Sequence, residues 1–208
     1  MIIKSNFMMN NYELSIEPYM EDLSAVADYL DHEEFQLLTQ IAPYKNNNIW
    51  TALSIHGFGA DPSDIYKPGF AKNDKKIDNK LQWTSLLNKP VMSPIRKILS
   101  RLPCEFERIR LMKLVAGKSL RKHNDNIDQD IENKKLIRLH VPIRTNKDVV
   151  FTIYDSYEDD VGQELNLKTG RYYYLDVTMP HSVSNNSNID RYHLVVVCFV
   201  NNDLNAIL

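Results

Sequence analysis

Residues 106–125 read Phe-Glu-Arg-Ile-Arg-Leu-Met-Lys-Leu-Val-Ala-Gly-Lys-Ser-Leu-Arg-Lys-His-Asn-Asp. The first ten are rich in residues that suit a pleated, half-buried surface and predict a strand. Ala116-Gly117-Lys118 reads as a tight turn. The segment then returns and ends on His123-Asn124-Asp125. Side chains two apart share one face of a strand, so His123 and Asp125 can point into the same space while Asn124 points away.

From this segment to the C-terminus the grammar stays that of strands. Residues 136–143, 149–154, 171–177 and 192–200 are β-rich runs divided by turn signals. The polar stretch 126–135 reads as a loop and Lys168-Thr169-Gly170 as a turn. Short strands with few helices between them predict a sandwich or jelly roll rather than a parallel α/β sheet. The first half reads differently. Glu21-Asp22-Leu23-Ser24 leads into Ala25, Val26, Tyr29, Leu30, Phe35, Leu37 and Leu38 at roughly helical spacing. Residues 49–55 favour a strand, and Ser93-Pro94 before Ile95, Ile98, Leu99 and Leu102 predicts a short helix with Ser93 as N-cap. Between them, residues 57–80 read as a long loop carrying Phe58, Tyr66 and Phe70, either a lid over a substrate or a plain surface connection. The expected organisation is a single domain, 1–208. Residues 1–103 form a helical and β support, and 104–200 form a β core with the helices packed outside it.

Composition narrows the function classes. Of 208 residues 43% are apolar, enough for a real core, and 25 basic against 27 acidic side chains leave a formal charge of −2. That balance argues against nucleic acid as the main partner. Cys104 and Cys198 stand far apart, with no disulfide framework or CxxC pair, as expected of a reducing, cytoplasmic setting. No stretch approaches the ~18 apolar residues of a membrane span, and the N-terminal residues show no targeting pattern. Nothing in the pattern fixes an oligomeric state.

Two imidazoles and one carboxylate are the ligand set of a non-haem Fe(II) site with positions left open for a cosubstrate and O2. His181, after Met179-Pro180, supplies the second imidazole to His123 and Asp125. An HxD pair alone is weak and is most often a surface pair; its place at the end of a strand after a glycine turn strengthens it. The Ser- and Asn-rich residues 184–188 read as a hairpin connection that would return Arg191 beside His181. Arg191 opens an apolar strand, where a lone guanidinium needs an anion or a wet rim. His193 shares its face. Arg138 and His140 form a similar pair, equally readable as a solvated sheet face or as a carboxylate site. The Tyr172-Tyr173-Tyr174 cluster, Trp50 and Trp83 read as packing rather than site residues.

Taken together these pieces resemble the aspartyl/asparaginyl β-hydroxylase family of Fe(II)/2-oxoglutarate dioxygenases. The matching segments are 110–114 with Gly117, then His123-Asn124-Asp125, 137–142 with Thr145-Asn146, 170–173, 181–185 and 191–195. The resemblance implies a double-stranded β-helix of the jelly-roll or cupin type. It implies iron at His123, Asp125 and His181, with Arg191 on the far carboxylate of 2-oxoglutarate. Arg138 and His140 match positions that face the cosubstrate or a substrate carboxylate, and His193 one near the cosubstrate pocket. Retention of Asp125 is like the small soluble members that hydroxylate amino acids, so the expected partner is an amino acid or peptide of Asp, Asn or Pro type. A cupin-like metal dioxygenase without 2-oxoglutarate and a non-catalytic jelly-roll binding protein are the alternatives.

Overall fold

The computed structural model describes residues 13–34, 49–68, 79–125 and 128–208. Among these residues ten strands form two antiparallel sheets. The larger contains β1 (Trp50–Phe58), β2 (Leu81–Trp83), β3 (Phe106–Leu114), β5 (Leu136–Arg144), β8 (Tyr173–Tyr174) and β10 (Arg191–Phe199), in the order β2-β1-β3-β10-β5-β8. The smaller contains β4 (Ser119–His123), β6 (Val149–Ile153), β7 (Gln163–Leu165) and β9 (His181–Asn185), in the order β4-β9-β6-β7. From β3 onward the chain alternates between the sheets, apart from the β6–β7 hairpin that stays in the smaller one. That order is the double wrap of a jelly roll, and β1 and β2 extend its larger sheet.

The larger sheet has two buried faces, which is why β10 is an almost unbroken apolar run. Leu53, Leu111, Leu139, Val141, Leu194 and Val196 point outward, against Val26 and Ala27 of α1 (Ser24–Tyr29) and Ile95, Ile98 and Leu99 of α2 (Ser93–Leu99). Each fully buried Leu or Ile here is worth about 2 kcal/mol of transfer energy. Leu114 and Val197 point the other way, between the sheets, to meet Phe151, Ile153 and Val183. Polar contacts lock the helical layer on. Asp31 receives Arg144 through two hydrogen bonds of 2.8 Å and the Tyr192 hydroxyl at 2.5 Å. Gly170 lies at φ +75°, and a Cβ there would come within 2.0 Å of the Tyr19 carbonyl oxygen, so only glycine lets the 168–170 turn sit against the N-terminal segment. No helix among the described residues is long and apolar enough to cross a membrane.

Several expectations need correcting. The segment 184–188 does not join a hairpin: β9 and β10 lie in different sheets, and the turn carries the chain across the sandwich. Turn residues mark a reversal but not which sheet the next strand joins. The loop expected at 126–135 contains α3 (Gln129–Glu132), capped by the Asp128 side chain accepting from the Asp130 amide. The N-cap of α2 is Met92, with Pro94 in the first turn and Ser93 already helical. Only Tyr173 and Tyr174 of residues 171–177 pair as a strand. Gly57 and Phe58 belong to β1. Ile65 and Tyr66 are pinned onto Ala52, Met112 and Val195. Phe35, Leu37, Leu38 and Phe70 lie outside the described residues.

Candidate metal centre

β4 and β9 are neighbours in register, with His123 opposite His181. The pairing sets the two imidazoles side by side, ring centroids 4.3 Å apart. Phe151, the next strand over, stacks on the His181 ring at 5.3 Å and 10°. In each ring Nδ1 is tied to a main-chain carbonyl: His123 to Arg121 at 2.7 Å, His181 to Met179 at 2.9 Å. An Nδ1–H that donates to a carbonyl makes Nε2 the lone-pair nitrogen, the tautomer a metal requires. Burial first, then the charge of His123, pushes His181 down to about 4, so it is neutral and ready to ligate.

Asp125 lies two residues past the end of β4, fixed by its amide donating to the Val177 carbonyl at 2.9 Å. Burial pushes its carboxyl up. The charges of Arg138, His181, His123 and Arg110 outweigh that and hold it below the usual carboxylate range. Its Oδ2 is ion-paired with Arg138. As the side chains stand, no group of three His, Cys, Asp or Glu among the described residues is gathered closely enough to grip a cation. The donor set nonetheless fits one: two imidazoles whose Nδ1 atoms are tied back to carbonyls, leaving Nε2 as the lone-pair nitrogen, and an ionised carboxylate line the same cavity. A metal held there would take the Asp125 carboxylate from Arg138.

Arg191 forms part of the same cavity wall. It is 4% exposed and lies on β10, a central strand, rather than on a sheet edge. Its Nη2 donates to His193 Nδ1 at 2.6 Å and its Nε has no partner. Burial alone pushes the guanidinium down to about 9, the mark of a cation without a carboxylate. His193 does not line the cavity. It stands beside Arg191 as its acceptor, kept neutral by burial and by the charges of Arg191 and His140, and so positions the arginine rather than touching a ligand. Arg138 and His140 do face the cavity. Both nitrogens of His140 are buried and unpartnered, and burial keeps the ring well below its ordinary pKa. Orphaned buried polar atoms each cost about 1–3 kcal/mol, so their gathering here calls for a polar ligand.

Sequence reasoning missed two residues of the cavity wall, Trp50 and Phe151, and a buried arginine on the same sheet. Trp50 belongs to the cavity wall rather than to the core, and Trp83 is 48% exposed on β2. Phe151 packs the ligand ring. Arg110, buried on the inner face of β3, stands opposite Val195 and in line with His140. The signal for Arg110 was present: an arginine inside an apolar strand, the same reasoning that singled out Arg191.

Residues 17–200 match the family model described as aspartyl/asparaginyl beta-hydroxylase. No curated protein matches the sequence. Among solved structures, a non-haem monooxygenase, the ThoJ–Ni complex, is 14% identical over 56% of this chain and 52% of its own, with a TM-score of 0.38. The chain therefore spans about half of that protein. A cupin domain from Bordetella pertussis Tohama I is 14% identical over 45% of this chain and 81% of its own, with a TM-score of 0.32. These overlaps are partial and carry no argument about activity.

Proposed function

The chain belongs to the aspartyl/asparaginyl β-hydroxylase family, oxygenases of hydroxylase type, and from that premise we propose that it is an Fe(II)- and 2-oxoglutarate-dependent dioxygenase of the cytoplasm, hydroxylating an unactivated C–H bond of an amino acid, free or in a peptide. The observation that carries the reading is the pairing, in one cavity, of two imidazoles with tied Nδ1 atoms and a carboxylate with a buried arginine that has no carboxylate partner. When bound, iron and 2-oxoglutarate together supply the oxidising power: the oxo acid ends as succinate and CO2, and one oxygen atom of O2 enters the C–H bond.

The chain's own residues do the rest. His123, His181 and Asp125 hold the metal. The imidazole tautomers are set beforehand by the Arg121 and Met179 carbonyls and the Asp125 main chain by the Val177 carbonyl, while the Asp125 carboxylate would have to turn from Arg138 on loading. Arg191, held by His193, receives the far carboxylate of the cosubstrate, a charge-assisted pair in a dry site. His140, neutral, offers one donor and one acceptor between that arginine and the metal ligands. Phe151, Val177, Val183 and Val195 wall the cavity with apolar surface and keep water away from reactive species.

The test is anaerobic titration of the Fe(II)-loaded protein with 2-oxoglutarate, followed by the weak visible absorption of the chelate. A band that is weakened in the Arg191→Ala variant supports the reading. Iron binding without the band removes 2-oxoglutarate and leaves a cupin-like metal oxygenase. Absence of iron binding removes the triad.

A further inference from the structure

The chain has two cysteines, Cys104 and Cys198, far apart in sequence and outside the metal cavity. The fold brings them together. β10 runs antiparallel to β3 and pairs Cys198 with Phe106, just after a register shift at Val197. The pairing continues one step, with the Phe199 amide donating to the Glu105 carbonyl at 3.0 Å. One step more sets Cys104, in the bend before β3, opposite Val200 and makes it the diagonal neighbour of Cys198. Both side chains lie on the helix-covered face of the larger sheet. Cys198 belongs to its buried core, and Cys104, Phe106 and Val200 pack against that core. The thiols stand close enough for Cys198 to donate to the sulfur of Cys104.

The two positions differ in ways that matter to sulfur chemistry. Cys198 is 0% exposed, and its Sγ also lies 4.0 Å from the Ile137 carbonyl oxygen. Cys104 is half-buried, so a small reagent reaches it. Donation from Cys198 pulls the Cys104 thiol below its ordinary pKa, with burial in partial opposition. The same contact, then burial, pushes Cys198 up. The thiolate is the reacting form, so Cys104 reacts first and the shielded Cys198 waits beside it. Core filling explains one buried cysteine, which packs as a small apolar residue. It does not explain why the second cysteine of the chain is set against the first. A disulfide needs Cα atoms within about 7 Å, and diagonal neighbours lie roughly 7–8 Å apart, so closure asks for about an ångström of movement. Cys104 supplies it, because it stands outside β3 and its ladder.

We propose that Cys104 and Cys198 are a reversible disulfide site, oxidised by hydrogen peroxide, that staples the entry of β3 to the exit of β10. The Cys104 sulfur attacks one peroxide oxygen. The O–O bond breaks, the other oxygen leaves as water, and Cys104 becomes a sulfenic acid. The Cys198 sulfur then displaces that oxygen: the S–S bond forms, the S–O bond breaks, and the thiol proton leaves with the oxygen as a second water. The two thiols have given up two electrons and two protons, and a dithiol reductant restores them. The inference stands apart from the dioxygenase reading, since neither sulfur lines the metal cavity.

The test exposes the reduced full-length chain, freed of iron so that peroxide meets no metal, to a few equivalents of hydrogen peroxide. Remaining thiols are blocked with N-ethylmaleimide under denaturing conditions, and intact mass and the non-reducing peptide map are read. The wild type is expected to lose two hydrogen atoms, take up no maleimide, yield a peptide linked through Cys104 and Cys198, and regain both thiols with dithiothreitol. Its melting temperature should rise by about 5 °C or more on oxidation, because the bond closes a loop spanning most of the β core. Cys198→Ser should stop at a Cys104 sulfenic acid that dimedone traps, and Cys104→Ser should leave Cys198 unreacted. A wild type that keeps both thiols, that passes to sulfinic acid at Cys104 without the linked peptide, or that links Cys104 to a second molecule overturns the proposal, and these outcomes hold even where a variant fails to fold. So does a linked form that melts no higher than the reduced protein, or a Cys104→Ser variant whose Cys198 is oxidised as fast as in wild type.

Discussion

Replacing Arg191 with Met should make the ligand-free protein more stable and the cosubstrate far weaker. The two effects have one origin. Folding carries the guanidinium into a place where it is 4% exposed and where His193 is its sole hydrogen-bond partner among the described residues. Its fall from 12.5 to about 9 corresponds to a charge penalty on the order of 5 kcal/mol. Relaxation and water entry reduce what is realised, and apolar replacements of buried charges typically gain about 1–4 kcal/mol. Urea unfolding of the ligand-free variant should therefore show a higher midpoint at unchanged slope. Above about pH 9 the gain should shrink, because the wild-type arginine then begins to shed its penalty with its proton. The binding side runs the other way. A carboxylate left facing an apolar side chain in a desolvated pocket loses about 2–5 kcal/mol, or roughly thirtyfold to several thousandfold in affinity. Calorimetry of Mn(II)-loaded protein with 2-oxoglutarate measures it, and Arg191→Lys should fall between, keeping the charge but not the planar fork. A variant that is less stable than wild type without ligand, or that binds 2-oxoglutarate normally, refutes the account of Arg191 as a cation waiting for an anion.

The other expectations are simpler. Single Ala replacements of His123, Asp125 and His181 should each abolish Mn(II) binding by calorimetry while leaving the far-UV circular dichroism unchanged; a variant that keeps micromolar affinity is not a ligand. Leu194→Ala, behind the site on the outer face of β10, should cost about 2–5 kcal/mol of stability yet keep Mn(II) affinity, and a loss of metal binding would mean the two faces are not independent. For Asp31, burial raises the carboxyl, but the Arg144 and Tyr192 hydrogen bonds more than offset it and hold it below 3.8. Its stabilisation is therefore full above about pH 4 and drains away as pH falls further. Asp31→Asn should be about 1–2 kcal/mol less stable than wild type at pH 7, with the gap closing toward pH 3; a gap that is constant with pH contradicts the assignment.

The strands that build the larger sheet were legible because their side chains obey local rules: 106–115, 136–143 and 192–200 became β3, β5 and β10 to within two residues. The metal ligands were legible for the same reason, since HxD at a strand end places two side chains on one face whatever the sheet order. Arg191 stood out as a charge in an apolar run. What stayed hidden depends on partners distant in sequence. Whether 184–188 closes a hairpin or crosses between sheets is decided by what β9 and β10 pair with, not by the turn. Trp50 reads as core until the β1–β3 register sets it opposite Leu114, within the chamber wall. The resemblance put His193 near the cosubstrate pocket; in the structure it does not line the cavity and is the hydrogen-bond acceptor of Arg191. Asp128 caps a four-residue helix too short to announce itself by periodicity.

One consequence of the two-sided larger sheet concerns how such a protein can be re-engineered. Along β10, Arg191, His193, Val195 and Val197 turn toward the chamber, and Tyr192, Leu194, Val196 and Cys198 turn toward the helices. Neighbouring codons thus answer to unrelated demands. A combinatorial library that randomises only the chamber-facing alternates of β3, β5 and β10 explores new substrates while each clone keeps the hydrophobic backing on which folding depends. Randomising the same strands contiguously spends most of its diversity on clones that never fold.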